Sequence, residues 1–289
     1  MSLAGVRVTP AWLALREPAD AAARARDLAE RLAAHLHERP DHLHARRQGT
    51  GEQVIHDLGA GTGAMGRWLA PLLPGPQHWV LHDRDADLLA LATAQRPGPA
   101  ADGSQVVVQA RRSDIAGLPA GALAGATVVT ASALLDMLTE PDLTELVAAC
   151  AGAACPVLLT LSVVGQVDLT PAEPLDAALA AAFNAHQRRD TEQGRLLGPD
   201  AVARAAERFA ALGAEVHLSP SPWRLTASEG ELTSEWLTGW VAAACEQEPA
   251  LAAEADAYTS RRLSQLRAEE LAVTVGHADL LALPGQQSV

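Results

Sequence analysis

The chain has 289 residues, 48% of them apolar, enough to enclose a full hydrophobic core in one large α/β domain or two modest ones. All 22 basic side chains are arginine, which excludes chemistry that needs a lysine amine: a pyridoxal phosphate Schiff base, a lysine general base, or the Walker lysine of a P-loop. Against 35 acidic side chains, for a net charge of −13, the basic residues cluster only in pairs such as Arg46-Arg47, Arg111-Arg112, Arg188-Arg189 and Arg261-Arg262, so no nucleic-acid partner is expected.

The N-terminus, "MSLAGVRVTP", has neither a basic n-region nor an apolar h-region, and no apolar run approaches the roughly 20 residues of a bilayer span. A cytoplasmic location with no membrane partner is the expectation. Glu17–Arg39 reads as one helix, with Leu28, Leu32 and Leu36 forming an apolar stripe and Pro18 in the first turn. Pro40 and the polar stretch after it read as a linker, which makes residues 1–52 a helical N-terminal extension.

From Val54 onward, short apolar runs alternate with helical stretches. Strands are expected at Gln53–Leu58, His78–Asp83, Gln105–Gln109, Thr127–Thr130 and Pro156–Val163, with helices at Met65–Leu73, Ala86–Gln95 and Leu143–Ala153 between them. That βαβ rhythm predicts a parallel sheet with helices on both faces, binding its ligand at the carboxyl ends of the strands. The pattern then breaks. Residues 165–198 hold a helix in which Leu175, Leu179, Phe183 and His186 share a face. A helix at Pro199–Leu212, a strand around Ala214–Leu218, helices in Ser228–Glu246 and Leu251–Glu270, and a strand at Leu271–Leu283 complete the chain. Cys150, Cys155 and Cys245 are odd in number and lack paired C-x2-C spacing, so buried fillers are expected, with no disulfide and no structural metal.

The glycines after the first strand, in "HDLGAGTGAMGRW", admit two readings. Gly61, Gly63 and Gly66 fit the G-x-G-x-x-G of a dinucleotide site; Asp57, Gly59, Gly61 and Gly63 fit D-x-G-x-G-x-G. The first would bury His56 and Asp57 within the strand, at about 1–3 kcal/mol for each left unpartnered, whereas the second puts Asp57 at the strand's end.

"VIHDLGAGTGAMGRWLA" resembles the first motif of the Rossmann-like (class I) S-adenosylmethionine-dependent methyltransferases, and further landmarks follow in order over residues 53–163. "HWVLHDRDADLLALA" ends its strand on Asp83, "VVVQARRSDIAGLP" supplies Asp114 and Ile115, and "TVVTASALLDMLTE" matches the fourth strand and its loop. Ala126-Thr127 departs from the acidic residue that many members carry before that strand. The resemblance implies a seven-stranded, mostly parallel Rossmann-like sheet whose last strand is antiparallel, and S-adenosyl-L-methionine as cofactor. It implies that Gly59, Ala60, Gly61 and Gly63 hold the cofactor's amino-acid end, with Asp57 holding either the loop or the ligand's ammonium and the helix from Ala64 offering N–H donors to its carboxylate. Asp83 would bond the ribose hydroxyls beside Arg84, Asp114 and Ile115 would meet the adenine, and Ser132 would border the methyl group.

Residues 53–289 then form the methyltransferase domain, with insertions at about 164–198 and 220–270 covering the substrate. The acceptor is expected to be an O or N atom of a small molecule, and the protein a monomer or homodimer. Asp136 and His186 are the candidate bases, since each lies where the chain returns to the cofactor. Trp12, Trp223, Trp236 and Trp240 either line the pocket or pack the cover, and Arg16 meets a substrate carboxylate or pairs with Glu17 or Asp20. Two other functions stay open: an NAD-dependent oxidoreductase and a non-catalytic S-adenosylmethionine-binding domain.

Overall fold

Eight strands hydrogen-bond into one sheet in the computed structural model, which describes residues 8–38, 51–115, 118 and 121–285. β1 (Gln53–Leu58), β2 (Gln77–Asp83), β3 (Val106–Arg112), β4 (Val128–Ser132) and β5 (Val157–Thr170) run parallel in the order β3-β2-β1-β4-β5. β6 (Asp190–Thr191) and β7 (Gly194–Arg195) form a separate two-stranded sheet, while β10 (Ala272–Leu283) pairs antiparallel with β5, and β8 (Glu215–Pro220) pairs antiparallel with β10 at the far edge. This is the expected seven-stranded Rossmann-like path; β9 (Trp223–Leu225), laid along the start of β10, is an eighth strand. Strand order reverses between β1 and β4, which opens a crevice at their carboxyl ends.

Both faces of the sheet are covered, so its central strands bury apolar residues toward both, as in Val128 and Val129, each 0% exposed. On one face Leu58, Val129 and Leu159 pack against α5 (Glu140–Gly152) and α7 (Ala201–Ala211). On the other, Ile55, Trp79 and Val128 share a core with α2 (Arg26–Glu38) and α3 (Ala64–Leu69). The stripe Leu28, Leu32 and Leu36 is the buried face of α2, as its spacing predicts. Cys150 and Cys155 are buried in α5 and just after it, and Cys245 is partly exposed.

β1 has the expected bounds, Gln53–Leu58, yet polar residues within it are buried. His56 and Asp57 lie inside the strand, and both are buried. Each has found a partner: His56 Nδ1 is 3.0 Å from His82 Nε2, and Thr130 Oγ1 donates to Asp57 Oδ1 at 2.8 Å. Burial holds both histidines neutral, down to about 4.

The single expected helix at Glu17–Arg39 is two: α1 (Pro10–Ala23), capped by Thr9 and containing Pro18 in its interior, and α2. No glycine marks the break. A tertiary contact makes it, because Ala25 N–H leaves the helical ladder to donate to Asp279 Oδ2 at 2.8 Å. Asp279 is fully buried in β10 and also accepts from Leu161 N–H at 2.7 Å and from the Ser221 hydroxyl. Leu161 (φ +57°) lies where β5 bulges against β10. Glu17 fastens α1 to α3 through Arg67 at 2.6 Å.

β5 and β10 run on together past the ends of the parallel strands and carry a third core. There α6 (Asp176–Gln187), α8 (Gly230–Gln247) and α9 (Ala252–Arg267) pack through Leu179, Leu237, Trp240 and Tyr258. Arg262, 0% exposed, ties this layer together through Asp176 at 2.7 Å and the Pro171 carbonyl at 2.6 Å.

Candidate active site

The crevice at the β1/β4 reversal is a cleft of about 800 Å³. Its floor is the loop after β1, in which Gly59 (φ +66°) and Gly61 (φ +54°) take up left-handed backbone. A Cβ at Gly59 would lie 3.2 Å from Ile115 Cδ1, and one at Gly61 3.3 Å from Leu13 Cδ1, so α1 closes directly over the loop. Ala60 N–H donates to the His82 carbonyl at 2.9 Å, which ties the loop to β2.

Asp83 stands at the end of β2. Its Oδ2 accepts Gly61 N–H at 2.8 Å and its Oδ1 accepts Asp85 N–H at 2.9 Å, which leaves each oxygen a second lone pair. Asp85 is used differently: it N-caps α4 (Ala86–Ala94), accepting Asp87 N–H at 2.9 Å.

Nothing in the sequence singles out Arg24, yet it dominates the inner end of the cleft. It is 4% exposed, lies 5.5 Å over the Trp68 ring and donates through Nη2 to Ser132 Oγ at 3.1 Å. Its Nε and Nη1 are buried without a hydrogen-bond partner among the described residues. Burial pulls its pKa down, opposed by Asp20 and Asp279. The helix break puts it there, since Arg24 directly precedes the Ala25 that Asp279 captures.

Asp57 lines the same part of the cleft, and its Oδ2 has no partner among the described residues. Burial raises it to about 7, against the Thr130 hydrogen bond and the charge of Arg24. A buried cation and a buried acid, coupled through space but not bonded to each other, are costly unless something completes them.

The remaining wall is aromatic: Trp12 from α1, Phe183 from α6, Trp223 from β9 and Trp236 from α8. Trp236 stacks on buried Trp240 at 5.4 Å, so the first borders the cleft and the second belongs to the core. Arg16 lies 5.1 Å over the Trp223 ring and pairs with Asp20 at 2.9 Å, while Trp223 Nε1 donates to the same carboxylate at 2.9 Å. His277, also in this wall, has Nδ1 2.9 Å from the Val275 carbonyl. That contact requires the proton on Nδ1 and leaves the Nε2 lone pair as an acceptor. Burial and Arg16 push this ring down to about 4, so it is neutral at pH 7. Asp136, in the turn after β4, bonds only its own backbone among the described residues; burial raises its pKa, while Arg16 and Arg189 act to lower it.

Of the residues singled out in the sequence, Asp57, Gly59, Ala60 and Gly61 meet at the floor of the cleft. Asp83, Arg84, Asp114, Ile115, Ser132 and Asp136 line its walls. Two lie elsewhere. Gly63 N-caps α3, where a Cβ would be 3.2 Å from Ala92 Cβ, so it serves helix packing. His186 turns away from the cleft, with Nε2 3.3 Å from Glu246 Oε2; Phe183, one turn earlier, is the residue of that face that reaches the cleft. Arg188 is held by Asp200 at 2.7 Å, and Arg46-Arg47 falls outside the described residues.

No protein-family model matches the chain, and no curated protein matches it. Solved structures of similar fold include an S-adenosylmethionine-dependent methyltransferase from Geobacter sulfurreducens in complex with S-adenosylhomocysteine. It is 14% identical, with 96% of this chain and 98% of that one covered and a TM-score of 0.44. YjhP from E. coli is 13% identical over 94% of this chain and 98% of its own, with a TM-score of 0.46. Phosphoethanolamine N-methyltransferase 2 of Haemonchus contortus, bound to S-adenosylhomocysteine and phosphomonomethylethanolamine, is 16% identical at a TM-score of 0.39. The match covers 81% of this chain and about half, 49%, of that enzyme. At such distances the function has to be read from the chemistry of the site.

Proposed function

We propose that the chain is an S-adenosylmethionine-dependent methyltransferase that acts on an O or N atom of a small molecule. The observation that carries this reading is the incomplete pair Arg24 and Asp57 beside the glycine loop. An α-amino acid end bears a carboxylate and an ammonium on one carbon, and it would complete both at once. NAD has no such group; its pyrophosphate would bring negative charge toward Asp57, which disfavours the oxidoreductase alternative.

In this reading Arg24 binds the carboxylate and Asp57 the ammonium, while Asp83 offers its free lone pairs to the ribose hydroxyls. Ile115 and Asp114 border the adenine, beside Arg84. Bound there, S-adenosylmethionine would supply an electrophilic methyl group. The chain orients the acceptor against it, excludes water, and takes up any proton released at Asp136. The helical segments at 164–198 and 220–270, together with the N-terminal helices, form the cover that shapes the acceptor pocket.

Among the described residues no helix is long and apolar enough to cross a membrane. Methyl-labelled S-adenosylmethionine incubated with a low-molecular-weight cell extract, and separately with total RNA, tests the reading. Label is expected in small products only. Label in RNA, with binding that weakens steeply with salt, would overturn the small-molecule assignment, and cofactor binding without any transfer would favour a non-catalytic domain.

A further inference from the structure

Resting on the methyltransferase reading, the geometry points to the acceptor class: a primary or secondary amine on an aromatic body, its nitrogen held by Asp136 and its ring among Trp12, Phe183, Trp223 and Trp236. The polar groups of this wall set the choice. Arg16 is the cation that lies over this wall's rings, and both Nε and Nη2 of its guanidinium are engaged by Asp20, at 2.9 and 3.2 Å. The indole N–H groups of Trp12 and Trp236 and Arg16 Nη1 remain as donors, and two acceptors stand with them, one of which, Asp136, brings a carboxylate without an ion-pair partner among the described residues. Asp136 has no side-chain partner among the described residues, and His277 Nε2 is the lone-pair nitrogen of a neutral ring. A ligand rich in N–H donors satisfies them; a carboxylate or phosphate would face a carboxylate and a lone pair.

The aromatic faces add attraction for a cation, and the wall already shows the arrangement on a small scale. The Arg16 guanidinium sits over Trp223 and against Asp20, a cation held between a ring and a carboxylate. Asp136 lies four residues beyond Ser132 in the turn from β4, at the same strand end as Arg24's contact to Ser132, so the nitrogen it holds is placed toward the cofactor's reactive end.

The chemistry balances without a further reactant. The ammonium R-NH3+ gives one proton to the Asp136 carboxylate, and the freed lone pair forms the N–C bond with the methyl carbon. The C–S electron pair returns to sulfur, so the product leaves as the methylated ammonium with S-adenosylhomocysteine, and the proton on Asp136 passes to water.

The test is calorimetry of the protein saturated with S-adenosylhomocysteine, titrated with tyramine, phenethylamine, tyrosol and 3-(4-hydroxyphenyl)propionate, followed by label transfer from methyl-labelled cofactor. The amines are expected to bind at least about tenfold more tightly than tyrosol, which shares the ring and phenol of tyramine, and to take the label on nitrogen. Asp136→Asn should weaken amine binding by about tenfold or more, while affinity for S-adenosylhomocysteine, measured first, stays within about threefold. Preference for tyrosol or the carboxylate, binding of neither amine at millimolar concentration, or amine binding that survives Asp136→Asn overturns the amine inference. Failure of S-adenosylhomocysteine itself to bind overturns the parent reading, and the first titration shows it separately.

Discussion

Replacing Arg24 by methionine removes the guanidinium while keeping an unbranched side chain of similar reach. Two of its nitrogens, Nε and Nη1, have no partner among the described residues, and in our account both bond the cofactor's carboxylate. A hydrogen bond to a charged group contributes about 1.5–3 kcal/mol, so losing two costs about 3 kcal/mol at the lower end, or a Kd raised roughly 150-fold. The fold itself should change little, because removing a buried charge also removes its desolvation cost. Thr160 still donates to Ser132 at 3.0 Å, and Asp279 keeps its bonds to Ala25, Leu161 and Ser221. Calorimetry should use two ligands, S-adenosylhomocysteine and 5′-methylthioadenosine, which lacks the amino-acid end. The expected result is a loss of about two orders of magnitude for the first and less than about threefold for the second. Equal losses for both would show that Arg24 merely shapes the cleft, and would refute the reasoning.

Burial raises Asp57 to about 7, whereas a ligand ammonium favours its ionised form, so binding below that pH must first displace a proton. Affinity for S-adenosylhomocysteine should therefore fall by about tenfold per pH unit below 7 and level off above it, and Asp57→Asn should flatten the profile. Asp83→Ala should weaken the same ligand by more than about tenfold, whereas Asp85→Ala should lower stability by about 1 kcal/mol through the lost cap and leave affinity nearly unchanged; calorimetry and urea unfolding read the two effects. His186→Ala should leave methyl transfer within about twofold of the parent, since its partner is the solvent-exposed Glu246; a tenfold loss in kcat would return it to the site.

What was legible in the sequence followed from local rules. The β1 loop declares itself because left-handed backbone and close approach demand glycine, and Asp83 because a polar residue closes an apolar run. What stayed hidden depended on contacts between distant segments. The break between α1 and α2 has no glycine and is made by Asp279, 254 residues away, so Arg24 looked like one more arginine on a helix face. The cost of burying His56 in β1 is met by His82, a partner in the neighbouring strand that local spacing does not show. On α6, spacing correctly grouped Phe183 with His186 on one face, but the packing of α8 decides which of them meets the cleft and which meets Glu246. His277 escaped notice because the bulged pairing of β5 with β10, with Gly276 within 2.9 Å of Gln166 and Val164 for any added Cβ, sets where it points.

The cleft we describe suits an α-amino acid carried on a nucleoside and not a dinucleotide. Parallel calorimetric titrations of the full chain with S-adenosylhomocysteine and with NAD test it most directly. Saturable binding of S-adenosylhomocysteine at one site per chain and no heat from NAD are expected; saturable binding of NAD with none of S-adenosylhomocysteine would make the cleft a dinucleotide site.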